Sequence, residues 1–260
     1  MTETKIYERA VTILDNFYGE SLEIIKTIPQ REQWKEQAIF TLFRQASNII
    51  FALLSNTEKS KYLNSTYVTE LIYIGTLGRI VRDIYVKIIY LRTTSFSDET
   101  MRLCWEYQII CQKLNVTKYE LNGEFREEIE KLKRKKGQLE EELQKVIFST
   151  KGQVLQGKEE KLLSLQELAT IKKFDKNKFE TEFVFFSQFS HSTAFANSFI
   201  TEQGVALSLI AATYHKIVAY YVGIVTESID LFIPNHEQLE LLKIQYEEII
   251  KVQWTIKPSA

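Results

Sequence analysis

The residues able to do chemistry in this 260-residue chain gather in two short stretches. The first, LGRIVRDIYVKIIYL, sets Arg79, Arg82 and Asp83 midway along the most apolar run of its region. Arg79 and Asp83 are four positions apart, so a helix puts them on one face. An unpaired buried charge is very costly, so these groups must pair, reach a cavity or bind something. The second stretch, FFSQFSHSTAFANS, places Ser187 and His191 four apart, again on one helical face, with Ser190, Ser192 and Thr193 beside them. Histidine titrates near neutral pH and serves as general acid or base when a reacting proton is within reach. A hydroxyl beside it raises nucleophilic catalysis, although neither an oxyanion hole nor a third orienting group is visible. Each stretch also has a plainer reading: an Arg–Asp pair joining helices, and a hydrogen-bonded structural histidine.

Other chemistries lack their residues. The remaining histidines, His215 and His236, show no HxxxH or HExxH spacing, so no metal site is expected. His215 reads as a satisfied core residue and His236 as an exposed one. No GxxxxGK[ST], GxGxxG or GxSxG occurs, so the familiar nucleotide loops and hydrolase elbows are missing and no cofactor is expected. Cys104 and Cys111 lie seven apart in what reads as one helix. That spacing separates their Cα atoms by about 10 Å, beyond disulfide reach. Both are expected to be reduced core residues of a cytoplasmic protein.

The elements that must position these groups are helices. Nine glycines and three prolines are too few for a sandwich or barrel of many short strands. A hydrophobic share of 45% excludes general disorder. A net charge of -1 argues against a strongly basic nucleic-acid binder while leaving a local patch open. Apolar spacings of three and four predict helices over about 3–27, 31–55, 65–93, 98–115, 176–192, 197–232 and 236–251. The 65–93 helix is apolar almost all round and is the expected centre of the bundle. Ser97 is its successor's expected N-cap, with acidic residues in the first turn.

Composition shifts at 124–160, where EFREEIEKLKRKKGQLEEELQKV is mostly charged and spaces Leu132, Leu139, Leu143 and Val146 by 7, 4 and 3. This predicts a projecting amphipathic arm, paired as a hairpin with 158–173. The fold class is therefore all-α: a single domain over 1–260, a multi-helix bundle with a charged helical arm. The N-terminal MTETKIYERAVTI lacks the apolar core of a signal peptide. The apolar stretch from Val205 to Phe232 holds His215 and Lys216 near its middle and reads as a buried core helix, so no membrane partner is expected.

Taken together, four features look familiar. They are the Arg79-to-Asp83 helix, the DETMR helix start with Arg102, the lysine-containing GKEEKLLSLQELA, and the aromatic-rich helix from Ser187 to His191. Over roughly residues 65–232 this pattern resembles a bacterial family of unknown function that is similar to the HEPN superfamily of helical bundles in toxin–antitoxin and phage-defence proteins. Ribonucleases of that superfamily cut RNA without metal, through an Arg-x(4–6)-His motif and usually across a homodimer. Here the residues four to six before His191 are Phe185, Phe186 and Ser187, with no arginine among them. The resemblance therefore implies an arginine from another helix. Arg79 would stabilise phosphate charge, His191 would be the general acid/base, Asp83 would orient one of them, and Ser187 would be a hydrogen-bonding neighbour. It also implies RNA as a partner and a homodimer. The alternatives are a non-enzymatic interaction or scaffold protein, docking a partner through 124–160, and a small-molecule sensor with a polar interior.

Overall fold

The computed structural model describes residues 3–28, 32–60, 67–94, 96–117, 126–146, 181–182, 184–187 and 203–233, with single positions at 237, 240, 241 and 244. The long elements are all α-helices: α1 (Glu3–Thr27), α2 (Trp34–Ser60), α3 (Tyr67–Thr93), α4 (Asp98–Thr117), α5 (Arg126–Val146) and α6 (Gln203–Phe232). Residues 181–182 and 184–187 are also helical and are called the 181–187 segment below. The protein is an all-α multi-helix bundle. The expected 158–173 hairpin and His236 lie outside the described residues.

The helices group into two compact units, where the sequence suggested one domain bearing an arm. The first holds α1, α2 from Ala38 onward, α3 to Arg92, the 181–187 segment and α6. The second holds residues 32–37, α4 and α5.

In the first unit α1 buries Ala10, Ile13, Leu14, Phe17, Ser21 and Ile24, one stripe at helical spacing. That stripe packs along α6. The centre of this unit is α6 rather than the expected α3. Tyr221 of α6 is fully buried and its hydroxyl meets Ser21 of α1 at 2.7 Å and Ser47 of α2 at 3.0 Å. Phe40 of α2 stacks edge-on against Phe232 at 6.0 Å. Arg92 of α3 donates to the Glu227 carbonyl of α6 at 3.0 Å. Apolarity alone misjudges α3, because Ile80 on that helix is exposed.

The Ser21–Tyr221–Ser47 group is a hydrogen-bond clip. Ser21 and Ser47 also face the carbonyls of Tyr18 and Phe43, at 2.8 and 3.1 Å. Three hydroxyl protons thus serve four contacts, and every hydroxyl oxygen in the group still finds a partner. That matters because a buried hydroxyl without one costs about 1–3 kcal/mol.

In the second unit α4 and α5 enclose a small core of Leu103, Cys104, Tyr107, Ile110, Cys111, Leu139 and Leu143. Hence α5 is no solitary charged rod: Leu139 and Leu143 are buried, while Val146, placed on the same apolar face by its spacing, is exposed. Both cysteines are free and buried, and burial pushes the Cys104 thiol up to about 12. The Ser97 cap is present, with the Thr100 amide donating to its hydroxyl at 3.1 Å. Asp98 beside it caps a different helix. Its carboxylate accepts from the amides of Trp34 and Lys35, at 2.6 and 2.8 Å, which are the first two of α2. A helix leaves its first four amides without intrahelical partners, and a carboxylate there also favours the dipole.

Two stretches, Trp34–Asn56 and Leu209–Phe232, are long and apolar enough to cross a membrane. Most of the second is buried inside the protein, as befits a central core helix.

Candidate functional site

Helix α6 carries Lys216 and Tyr220 four residues apart, so both lie on one face of a strongly apolar element. The group that answers them is Glu182. Lys216 Nζ reaches Glu182 Oε1 at 2.6 Å, and the Tyr220 hydroxyl donates a short hydrogen bond to Glu182 Oε2. Both carboxylate oxygens are therefore engaged, each by a different donor. Burial raises the Tyr220 phenol well above its ordinary value and Glu182 raises it further, with Arg82 opposing. The phenol is a fixed donor at neutral pH.

Helix α3 supplies the third side of this cluster. Arg82 is only 3% exposed, its Nη1 lies 3.2 Å from Asp83 Oδ1, and its positive charge opposes the rise at the Tyr220 phenol. Tyr85, one helical turn from Arg82, packs against Tyr220 with ring centroids 5.7 Å apart. The ring comes this close to α6 because position 223 is glycine: a Cβ there would sit 2.6 Å from Tyr85 Cε2. Two cations thus each meet a carboxylate in the first unit, with Arg82 and Glu182 the more deeply set and Asp83 45% exposed.

Neither a family model, nor a curated protein, nor a solved structure matches this chain.

The 181–187 segment is held by packing as well as by charge. Phe186 is fully buried and lies over Gly78 of α3, where a Cβ would stand 2.4 Å from Phe186 Cε1 and 3.1 Å from Ile217 Cγ1. Any side chain at 78 would force the Phe186 ring to shift. Phe185 meets Phe186 edge-on at 5.6 Å, and Lys216 Nζ lies 5.9 Å from the Phe185 ring.

The expected site residues fall as follows. Arg79 and Asp83 are half-buried on α3, and Arg82 Nη1 lies 3.2 Å from Asp83 Oδ1. Ser187 ends the described part of the 181–187 segment, with its hydroxyl buried. His191 lies outside the described residues. The structure does bring the segment leading to Ser187 onto α3 at Gly78, next in sequence to Arg79. Glu182, Lys216 and Tyr220 were missed by the sequence reading. The signal for two of them was present in the i,i+4 pair of polar groups in the most apolar helix. Nothing local marked Glu182 as their partner.

His215, next to Lys216, departs from the expected satisfied core residue. Its Nε2 is buried without a hydrogen-bond partner. Burial, followed by the positive charge of Arg9 on α1, lowers it to about 4. Among the described residues no three His, Cys, Asp or Glu side chains gather into a group able to hold a metal.

Proposed function

We propose that the chain is a non-enzymatic helical interaction protein whose interior charges fasten its helices. The observation that carries this reading is the mutual neutralisation of Arg82, Asp83, Lys216 and Glu182, with Tyr220 completing the carboxylate's hydrogen bonds. A phosphate-cleaving centre needs an uncompensated positive field where charge develops in the transition state. This cluster has spent its positive charge internally. Helix α5 is the surface for a partner protein, with Leu139 and Leu143 turned to α4 and Glu127, Lys131, Arg134, Gln138, Glu141 and Lys145 exposed on the other side.

A second reading, an HEPN-like RNA-directed effector of defence type, is favoured by one observation. Phe186 seats the described segment leading to Ser187 on α3 at Gly78, next in sequence to Arg79. In that reading His191 is the general acid/base, and Arg79 and Asp83 act as the resemblance implies.

One assay separates the two: RNA incubated with purified protein in EDTA, comparing wild type with His191→Ala and Arg79→Ala. The non-enzymatic reading expects the same background from all three. Cleavage by wild type that both substitutions abolish overturns it and establishes the second. Sedimentation at several concentrations reads whether the chain self-associates as the HEPN resemblance implies.

A further inference from the structure

The geometry points to Arg82, Lys216 and Tyr220 as a carboxylate-binding site that we propose is filled here by the chain's own Glu182 and can exchange it for a small carboxylate ligand. This rests on the reading of the cluster as a clamp and adds what would open it. The site has the parts such recognition requires. One oxygen of the bound carboxylate receives an ammonium at 2.6 Å and the other a phenolic hydroxyl, with the buried Arg82 acting electrostatically on that same phenol. Charge-assisted bonds of this kind are roughly twice as strong as neutral ones. The two donors engage one oxygen each, a two-point arrangement that a carboxylate fills with both of its oxygens.

The internal occupant is also the dispensable one. Arg82, Lys216 and Tyr220 stand on long helices with extensive cores, so the receptor half is rigid. Glu182 stands on the 181–187 segment, where Phe186 is fully buried and Val184 is 54% exposed. The Lys216 side chain keeps 30% of its surface, so the pair meets solvent at that end. A ligand carboxylate entering there replaces Glu182 charge for charge and leaves no buried cation unpaired, whereas simple loss of Glu182 would strand Lys216. Exchange therefore releases the 181–187 segment, with Ser187 on it, at little electrostatic cost. The interaction protein becomes a sensor of small carboxylates.

The test is chemical rescue on the full chain. Glu182→Ala is melted with acetate, inorganic phosphate or chloride at equal ionic strength, beside wild type and Glu182→Ala with Lys216→Met. Glu182→Ala is expected to melt about 5 °C below wild type. Acetate at about 0.1 M should recover at least half of that fall by mass action, with no recovery in the double variant. In wild type, acetate competes with a tethered carboxylate of high effective concentration, so hydrogen exchange at 181–187 should quicken only about two-fold over chloride. That measurement carries the test should Glu182→Ala not fold. A destabilised Glu182→Ala that acetate does not restore, or unchanged exchange in wild type, overturns the site and leaves the clamp standing. A Glu182→Ala as stable as wild type overturns both. Equal rescue by phosphate overturns the preference for a carboxylate.

Discussion

Lowering the pH should weaken the first unit through His215, and the size of the effect follows from its surroundings. In the unfolded chain the imidazole titrates near 6.5, whereas in the fold it is held at about 4, first by burial and then by Arg9. The neutral form is the one the fold accepts. Below about pH 6.5 the unfolded chain gains a proton that the folded chain does not, so the contribution is complete above 6.5 and is lost as pH falls towards 4. Each pH unit between the two values is worth about 1.36 kcal/mol, which sets a ceiling of about 3 kcal/mol. His215 is only partly buried, and solvent screening brings the expectation to about 1–2 kcal/mol.

The perturbation is His215→Leu, which removes the titrating group and the unpartnered Nε2 together. Relieving a buried nitrogen of that kind should stabilise the protein by about 1 kcal/mol even at pH 7. Urea unfolding of both proteins at half-unit steps from pH 4 to 7.5 gives the difference curve, which cancels the carboxylates common to both. The variant's advantage should widen as the pH drops, most steeply between 6.5 and 5. Arg9→Gln should narrow that widening, since the neighbouring positive charge is part of what depresses the imidazole. Two curves that run parallel across the whole range would refute the reasoning, because no proton would then be excluded by the fold at this position.

Two further substitutions test polar contacts within each unit. Tyr221→Phe removes the hydroxyl shared by Ser21 and Ser47 and should cost about 1–3 kcal/mol in urea unfolding, with little change in the slope. Asp98→Ala strips the acceptors from the first two amides of α2 and should cost about 1–2 kcal/mol, with Asp98→Asn intermediate in the same measurement.

How far the sequence reached depends on the kind of interaction. Helix positions were legible, with Glu3–Thr27 and Tyr67–Thr93 close to their expected limits, because apolar spacing is local information. The Ser97 cap was legible for the same reason. Asp98 was read as part of its own helix's acidic first turn. Its service to Trp34 and Lys35 depends on a contact across more than sixty residues that no local pattern encodes. The polar site divides in the same way. That charges in α3 had to be compensated followed from the cost of burial, but the choice of Arg79 over Arg82 as the important arginine rested on i,i+4 spacing. Spacing weighs surface pairing, worth a few tenths of a kcal/mol, and not depth. Arg82 is the arginine sunk in the core, and only the packing of α3 on α6 decides that.

The asymmetry of buried ion pairs gives this cluster a further consequence. A complete pair in a protein interior adds little over an apolar replacement, yet removing one partner is strongly destabilising, since the other charge stays behind in poor solvent. Glu182, Lys216, Arg82 and Asp83 are thus a weak reason for the bundle to exist and a strong reason for the 181–187 segment to stay where it is. Phe186 alone could secure the segment by apolar burial, worth about 1.5–3 kcal/mol for a side chain of that class. Burial by itself would hold it without regard to what dissolves in the surrounding water. Adding a carboxylate that bridges a lysine and a tyrosine makes the same attachment answer to solution chemistry: anything that matches or removes that charge alters the grip. If Glu182→Gln keeps Phe186 buried but slackens the segment in hydrogen exchange, charge and not hydrophobic contact controls the attachment. Unchanged protection in that variant would return the whole task to Phe186 and Gly78.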